Sequence, residues 1–192
     1  MRLLRATDYR VMPWKNGGGT TTEIAVSPDG AGLDDFDWRV SMARVESSGP
    51  FSSFVGVDRT LSVLEGEGIV LDVAGQRPER MTVASKPFSF PADQPTSAAL
   101  IAGPITDLNV MTRRGRMLHS VERLELSRPV GIAIRPGSTL ILCHDGEAAF
   151  PEAGQIRLGP FDTLLVGSEA SVLRVEPARS ATLFVVRIAT SA

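Results

Sequence analysis

Glycine and proline punctuate this chain so densely that long helices are excluded. Eighteen glycines and thirteen prolines among 192 residues leave Leu33–Ser48 as the longest stretch free of both. Helices need longer periodic runs than that spacing allows. Even within Leu33–Ser48 the period is two, because Trp38, Val40 and Met42 alternate with Arg39, Ser41 and Ala43. Such alternation marks a strand with one apolar face, and it sets Arg39 and Ser41 on the same side.

The same reading predicts strands over Thr20–Ser27, Arg59–Leu64, Ile69–Val73, Ala98–Ala102, Asp107–Arg113 and Val130–Arg135, then over Thr139–His144, Ile156–Leu158, Thr163–Val166, Val172–Val175 and Thr182–Ile188. Many short strands with glycine-rich turns point to an all-β antiparallel sandwich or barrel. Met117–Leu124 is the single candidate for a helical turn. The order of elements repeats faintly: Leu61–Val73 reads as a hairpin, and Leu140–Phe150, turning at His144-Asp145-Gly146, plays that part again. Two β-modules are expected, residues 1–116 and 117–192, with strands that can pair across the halves.

The charge balance is close to neutral, 20 basic against 22 acidic residues, and no basic block is longer than the Arg113–Arg116 cluster. This argues against nucleic-acid binding. The segment MRLLRATDYR lacks the apolar core of a signal peptide, and no apolar run is long enough to span a bilayer, so a soluble, cytoplasmic protein with no membrane partner is expected. Cys143 is the only cysteine, which removes intrachain disulfides and cysteine-cluster metal sites; its apolar flanks read as a buried strand. His119 and His144 are the only histidines, without the paired spacing of a metal centre, so no metal and no cofactor are expected.

Three segments carry polar chemistry. In Met12–Thr22, MPWKNGGGTTT, three consecutive glycines follow an aromatic, a cation and an amide. Glycine runs of this kind mark sharp turns or close backbone approaches, although a flexible linker is the alternative. In DLNVMTR, alternation puts Asp107, Asn109, Met111 and Arg113 on one face, which needs water, partners or a ligand. A solvated sheet face is the alternative there. Gly49–Gly56, GPFSSFVG, either packs its two phenylalanines in the core or walls a pocket with them, and Arg59 just beyond can grip a carboxylate bidentately.

Taken in order, PWKNGGGTTTEIAVSP, FDWRVSMARVESSGPFSSFVGVDRTLSVLEGEGIVL and GPITDLNVMTRR resemble the HutD/Ves family, associated with histidine utilisation in bacteria. The likeness is dense from Trp14 to Arg114 and rests on the β-pattern beyond. It implies a bicupin, two RmlC-like cupin (jelly-roll) β-barrels in one chain, without the metal-binding histidines of enzymatic cupins. It further implies a pocket in the N-terminal barrel, with Trp14, Lys15, Asn16, Gly17, Gly18, Gly19, Thr20, Arg39, Ser41, Arg59, Asp107, Asn109 and Arg113 facing the ligand.

The leading functional expectation is a non-enzymatic protein that binds a small anionic metabolite, an intermediate of histidine breakdown such as formylglutamate or urocanate, and regulates histidine utilisation. The alternative is a metal-independent isomerase or hydrolase acting on a small carboxylate, with Asp107 or His119 as its acid–base group. A third reading is a scaffold for association, and a homodimer is the association that cupin-type sheets commonly form. If Arg39 serves only the ligand, Arg39→Ala weakens anion binding and leaves stability nearly unchanged.

Overall fold

The alternating segments become strands, and the only helical turns among the described residues are short 3-10 turns at Ala6–Asp8 and Pro151–Ala153. The computed structural model describes residues 1–14, 17–167 and 171–191. Two compact units divide the chain: Arg10–Leu118, and Met1–Tyr9 together with His119–Ala192. The first nine residues therefore lie with the second half, whereas the 1–116 division puts them with the first. Their strand β1 (Arg2–Leu4) pairs antiparallel with Thr163–Leu165. Beside it the Asp162 carboxylate accepts from the Arg5 guanidinium at 2.6 Å and from the Ala6 backbone N–H at 3.0 Å.

The unit Arg10–Leu118 holds β2 (Arg10–Pro13), β3 (Gly19–Ser27), β4 (Trp38–Val45), β5 (Gly49–Pro50), β6 (Val57–Glu65), β7 (Ile69–Val73), β8 (Glu79–Met81), β9 (Phe88–Pro91), β10 (Thr96–Leu100) and β11 (Ile105–Arg113). A six-stranded sheet runs β2-β3-β4-β11-β6-β9, and a four-stranded sheet runs β5-β10-β7-β8. Ala43, Val45, Leu61, Val63 and Ile105 of the first pack with Ile69, Leu71, Val73, Met81 and Ala98 of the second. The large sheet thus turns one face into a sandwich core.

The other unit adds β12 (Met117–Leu126), β13 (Val130–Ile134), β14 (Ser138–Phe150), β15 (Ile156–Leu158), β16 (Thr163–Val166) and β17 (Ser171–Thr190). Its sheet runs β1-β16-β14-β17-β12, with β13 on β17 and β15 on β14. None of the three sheets closes into a barrel among the described residues. No helix among those residues is long and apolar enough to cross a membrane.

Three local expectations are corrected. Met117–Leu124 is strand, because its residues alternate between part-buried and exposed from Met117 to Glu122 and Leu118 faces outward. Leu140–Phe150 is one continuous strand and not a hairpin: bulges between Cys143 and Asp145 and between Gly146 and Ala148 absorb the glycine. Gly146 has a φ of 75°, and a Cβ there would stand 2.2 Å from the Ser180 carbonyl oxygen. Val172–Val175 and Thr182–Ile188 join into β17, whose first residues pair with β13 and whose remainder pairs with β14.

Candidate functional site

Strand register lays the polar residues of the large sheet out in three rungs across its inner face. One rung reads Val26, Arg39, Met111, Arg59 and Phe90, crossing β3, β4, β11, β6 and β9. The next reads Glu23, Ser41, Asn109, Leu61 and Phe88, and the third Thr21, Ala43, Asp107 and Val63. The sandwich core closes one end of this set. At the other end Phe36, Val57, Ala92 and Met111 form a second apolar cluster, with Val26 and Phe54 packed against it. Arg39, Ser41, Arg59, Asp107 and Asn109, expected on one site, are thus brought together and buried.

Each buried charge is held differently. The Arg39 Nε donates to Glu23 Oε2 at 2.7 Å, with little of either side chain exposed. A bulge in β3 between Glu23 and Ala25 permits that pairing across neighbouring rungs. Arg39 is consequently half of an internal ion pair and not an unengaged cation.

Arg59 has no such carboxylate. Its guanidinium lies 5.3, 5.2 and 5.9 Å from the ring centroids of Phe51, Phe54 and Phe90. Nη2 reaches the Met111 sulfur at 3.5 Å, and the buried Nε has no hydrogen-bond partner. Cation–π attraction partly replaces the lost hydration. Burial still pulls Arg59 below its ordinary value, to about 10, despite the opposing influence of Asp107.

Asp107 sits between Ala43 and Val63 and is 1% exposed. The Asn109 Nδ2 donates to its Oδ1 at 2.5 Å. Burial among apolar neighbours pushes the carboxyl up to about 7, against the pull of Arg59 and of the Asn109 hydrogen bond. The sheet therefore sets a reluctant cation and a reluctant anion on one face, with no ion pair within 4.0 Å between them among the described residues.

The glycine segment forms the β2–β3 connection. The Trp14 N–H donates to the Gly19 carbonyl at 2.9 Å, and the Gly17 N–H to the Trp14 carbonyl at 3.1 Å. Gly17 has a φ of 71°, and at Gly19 a Cβ would stand 2.1 Å from the Arg44 carbonyl oxygen, so these positions need glycine for different reasons. Gly18 accepts from the Glu46 N–H at 3.0 Å. The Trp14 indole donates to the Thr21 hydroxyl at 2.8 Å and packs against the sandwich core. Lys15 and Asn16 lie outside the described residues.

Two expected residues stand apart. Thr20 pairs with exposed Arg44, on the face opposite Thr21, because adjacent strand residues point to opposite sides. Arg113 shares the inner face, but its guanidinium donates to the carbonyls of Asp34, Phe36 and Val55 and stacks on Phe36 at 5.2 Å. It staples the β11 end to two loops. Glu23, Thr21 and Phe90 join the site without having been expected there. Alternation in Thr21–Glu23 carried a signal for the first two, whereas Phe90 became visible only through cross-strand register. Both phenylalanines of Gly49–Gly56 meet Arg59, and both also pack on apolar clusters, Phe51 on the sandwich core and Phe54 on the second cluster.

The remaining reactive groups lie in the other unit. His144 stacks on Phe161 and Phe184, with centroids 5.8 and 5.9 Å away. It lies within β14, not at a strand end. Cys143 is fully buried, and burial pushes its thiol up to about 12. Among the described residues no group of three or more His, Cys, Asp or Glu side chains could hold a metal ion.

Known proteins resemble this chain throughout. The model of the HutD family matches residues 6–184. An uncharacterized 21.2 kDa protein in the region 3′ of hutC in Pseudomonas putida is 47% identical over 58% of this chain and 57% of its own length. Protein Ves of Citrobacter koseri is 39% identical over 57% of this chain and 58% of its own. The match spans less than two thirds of either relative. Among solved structures, a conserved protein of unknown function from Pseudomonas aeruginosa PAO1 has a TM-score of 0.89 at 33% identity, covering 97% of both chains. HutD from Pseudomonas fluorescens SBW25, solved in a formate condition, has a TM-score of 0.82 at 32% identity, covering 100% of this chain and 99% of that one. A cupin 2 conserved barrel domain protein from Leptotrichia buccalis shares the fold alone, with a TM-score of 0.61 at 9% identity over 93% of this chain and 92% of its own.

Proposed function

The chain belongs to the HutD family, and from that premise we propose that it binds a small anionic metabolite of histidine breakdown without transforming it. The single observation behind this reading is Arg59: a guanidinium 6% exposed, enclosed by three phenylalanines, with Nε unpartnered. A buried cation without an anionic partner carries a desolvation cost that a carboxylate ligand offsets through charge-assisted hydrogen bonds. Asn109 and Ser41 on the neighbouring rung can orient an amide or a ring nitrogen.

Formylglutamate and urocanate fit this chemistry, since both carry carboxylates, and the relative beside hutC supports the link to histidine utilisation. Binding such an intermediate would let the protein regulate that pathway. The two units are read as the two cupin-type barrels of a bicupin, a reading supported by the fold shared with a cupin barrel protein. Calorimetric titration with formylglutamate and urocanate tests the binding. We expect saturable binding to at least one of them, abolished by Arg59→Met; a folded protein that binds neither refutes the proposal.

Asp107 supports the second reading, a metal-independent isomerase or hydrolase. A carboxyl held near 7 is poised to give or take a proton at neutral pH. Turnover of either compound followed by NMR, lost in Asp107→Asn, would place this reading first.

A further inference from the structure

The pairing of Arg59 with a carboxyl that does not touch it has a chemical consequence, which rests on the anion-binding reading. Glu23 and Arg39 neutralise each other on β3 and β4. Among the described residues the other charged groups on that face are Arg59 on β6, Asp107 on β11, Arg113, occupied by three carbonyls at the strand end, and exposed Arg10 on the β2 edge. Among the described residues the facing sheet packs Ile69, Leu71, Val73, Met81, Ala98 and Leu100 against the core, and no charged side chain. β9 contributes Phe88 and Phe90, and no charge. Among the described residues the interior balance therefore depends on Asp107. Neutral, it leaves Arg59 as one uncompensated positive charge, a match for one carboxylate. Ionised, it cancels that charge and repels the incoming anion.

We infer that Asp107 makes the site a proton-coupled receptor for one carboxylate group at a time, in which an anion seats on Arg59 with Asp107 neutral, so that wherever Asp107 is ionised beforehand the anion brings one proton from solvent. No covalent bond changes. The ligand enters as the anion, the proton comes from water or buffer, and the interior keeps its net charge. Asn109 fixes Oδ1 of Asp107 by donating to it. Asn109 thereby disfavours protonation of Oδ1, and the Ala43 backbone N–H donates to the same carboxyl; the O–H formed on proton uptake can donate to a ligand oxygen. Asp107 is thus a specificity-determining residue: beside the carboxylate on Arg59 it favours a neutral acceptor such as an amide carbonyl, so that the second carboxylate of a ligand such as formylglutamate must lie away from Asp107.

Sodium formate serves as the probe, titrated calorimetrically at pH 5.5 and 8.5 in two buffers of different ionisation enthalpy. Formate is ionised at both values, so any pH dependence belongs to the protein. The expected result is a Kd that rises about 30-fold from pH 5.5 to 8.5, from a group titrating near 7, with close to one proton taken up per formate at the higher pH. Asp107→Asn is expected to bind formate with the same Kd at both pH values and without proton uptake. Binding by the parent with a constant Kd and no uptake overturns the coupling and leaves the Arg59 site standing. No binding by the parent, or binding that survives Arg59→Met, overturns the anion-binding reading and the coupling with it. Should Asp107→Asn not fold, the buffer dependence of the parent decides.

Discussion

Arg39→Ala separates a ligand contact from an internal strut. The sequence places Arg39 on a polar face, where its loss would cost little stability; the structure buries it to 5% exposure and gives it a 2.7 Å bond to Glu23. Removing one member of a buried pair leaves the other charge uncompensated, at a cost of about 3–5 kcal/mol. Glu23 keeps 17% of its side chain exposed, so water relieves part of that cost and about 3 kcal/mol is expected. With an m value of about 2 kcal/mol/M, the urea midpoint of Arg39→Ala falls by roughly 1.5 M. The double variant Arg39→Met with Glu23→Gln removes both charges and keeps the volume, so its cost should stay near 1 kcal/mol, giving a coupling of about 2 kcal/mol or more. Urea unfolding of the parent, Arg39→Ala, and the cycle of Arg39→Met, Glu23→Gln and their double variant, followed by tryptophan fluorescence, measures this. A loss below about 1 kcal/mol for Arg39→Ala, or additive losses in the cycle, would refute the reasoning.

Other outcomes follow from the same geometry. The folded pKa of Asp107 lies above its unfolded value, so the native state holds more protons between about pH 4 and 7 and this group's contribution falls as pH rises. Relative to the parent, Asp107→Asn should therefore gain about 2–3 kcal/mol of stability between pH 5 and 8, read as the difference in urea midpoints; an unchanged difference would contradict the burial argument. Gly19→Ala collides with the Arg44 carbonyl and should fail to reach the native melting transition, whereas Gly17→Ala meets nothing within 4 Å and should lose only about 1 kcal/mol for its left-handed backbone. Cys143 should resist alkylation by iodoacetamide at pH 8 until the protein is unfolded in urea, as mass spectrometry would show.

The fold was legible wherever a two-residue period or a glycine turn was strong. Ile69–Val73, Ile156–Leu158 and Thr163–Val166 coincide with their strands. Errors arose where a turn residue sits inside a strand: His144-Asp145-Gly146 reads as a turn locally, but pairing with β17 overrides it through bulges. The candidate site was legible as a set of residue types and not as a circuit. Alternation could group Arg39 with Ser41 and Asp107 with Asn109, yet which carboxylate meets which guanidinium depends on register between strands far apart in sequence. The pairing of Arg39 with Glu23, and the isolation of Arg59 from Asp107, are consequences of that register. Thr20 and Thr21 show how fine the distinction is, since one position along β3 exchanges the outer face for the inner.

The placement of Met1–Tyr9 also orders events during synthesis. Arg5 and Asp162 are 157 residues apart, and the unit that joins them is discontinuous in the chain. The segment Arg10–Leu118 is continuous, so all its strand partners have left the ribosome while the partner of β1 is still untranslated. The start of the chain must wait unpaired until β16 arrives, a long loop closure that slows assembly of the unit and makes it the last to form. The unit that carries Arg59 can therefore mature before the chain is finished, once synthesis has run far enough past Leu118 for β11 to leave the ribosome and pair with β4 and β6.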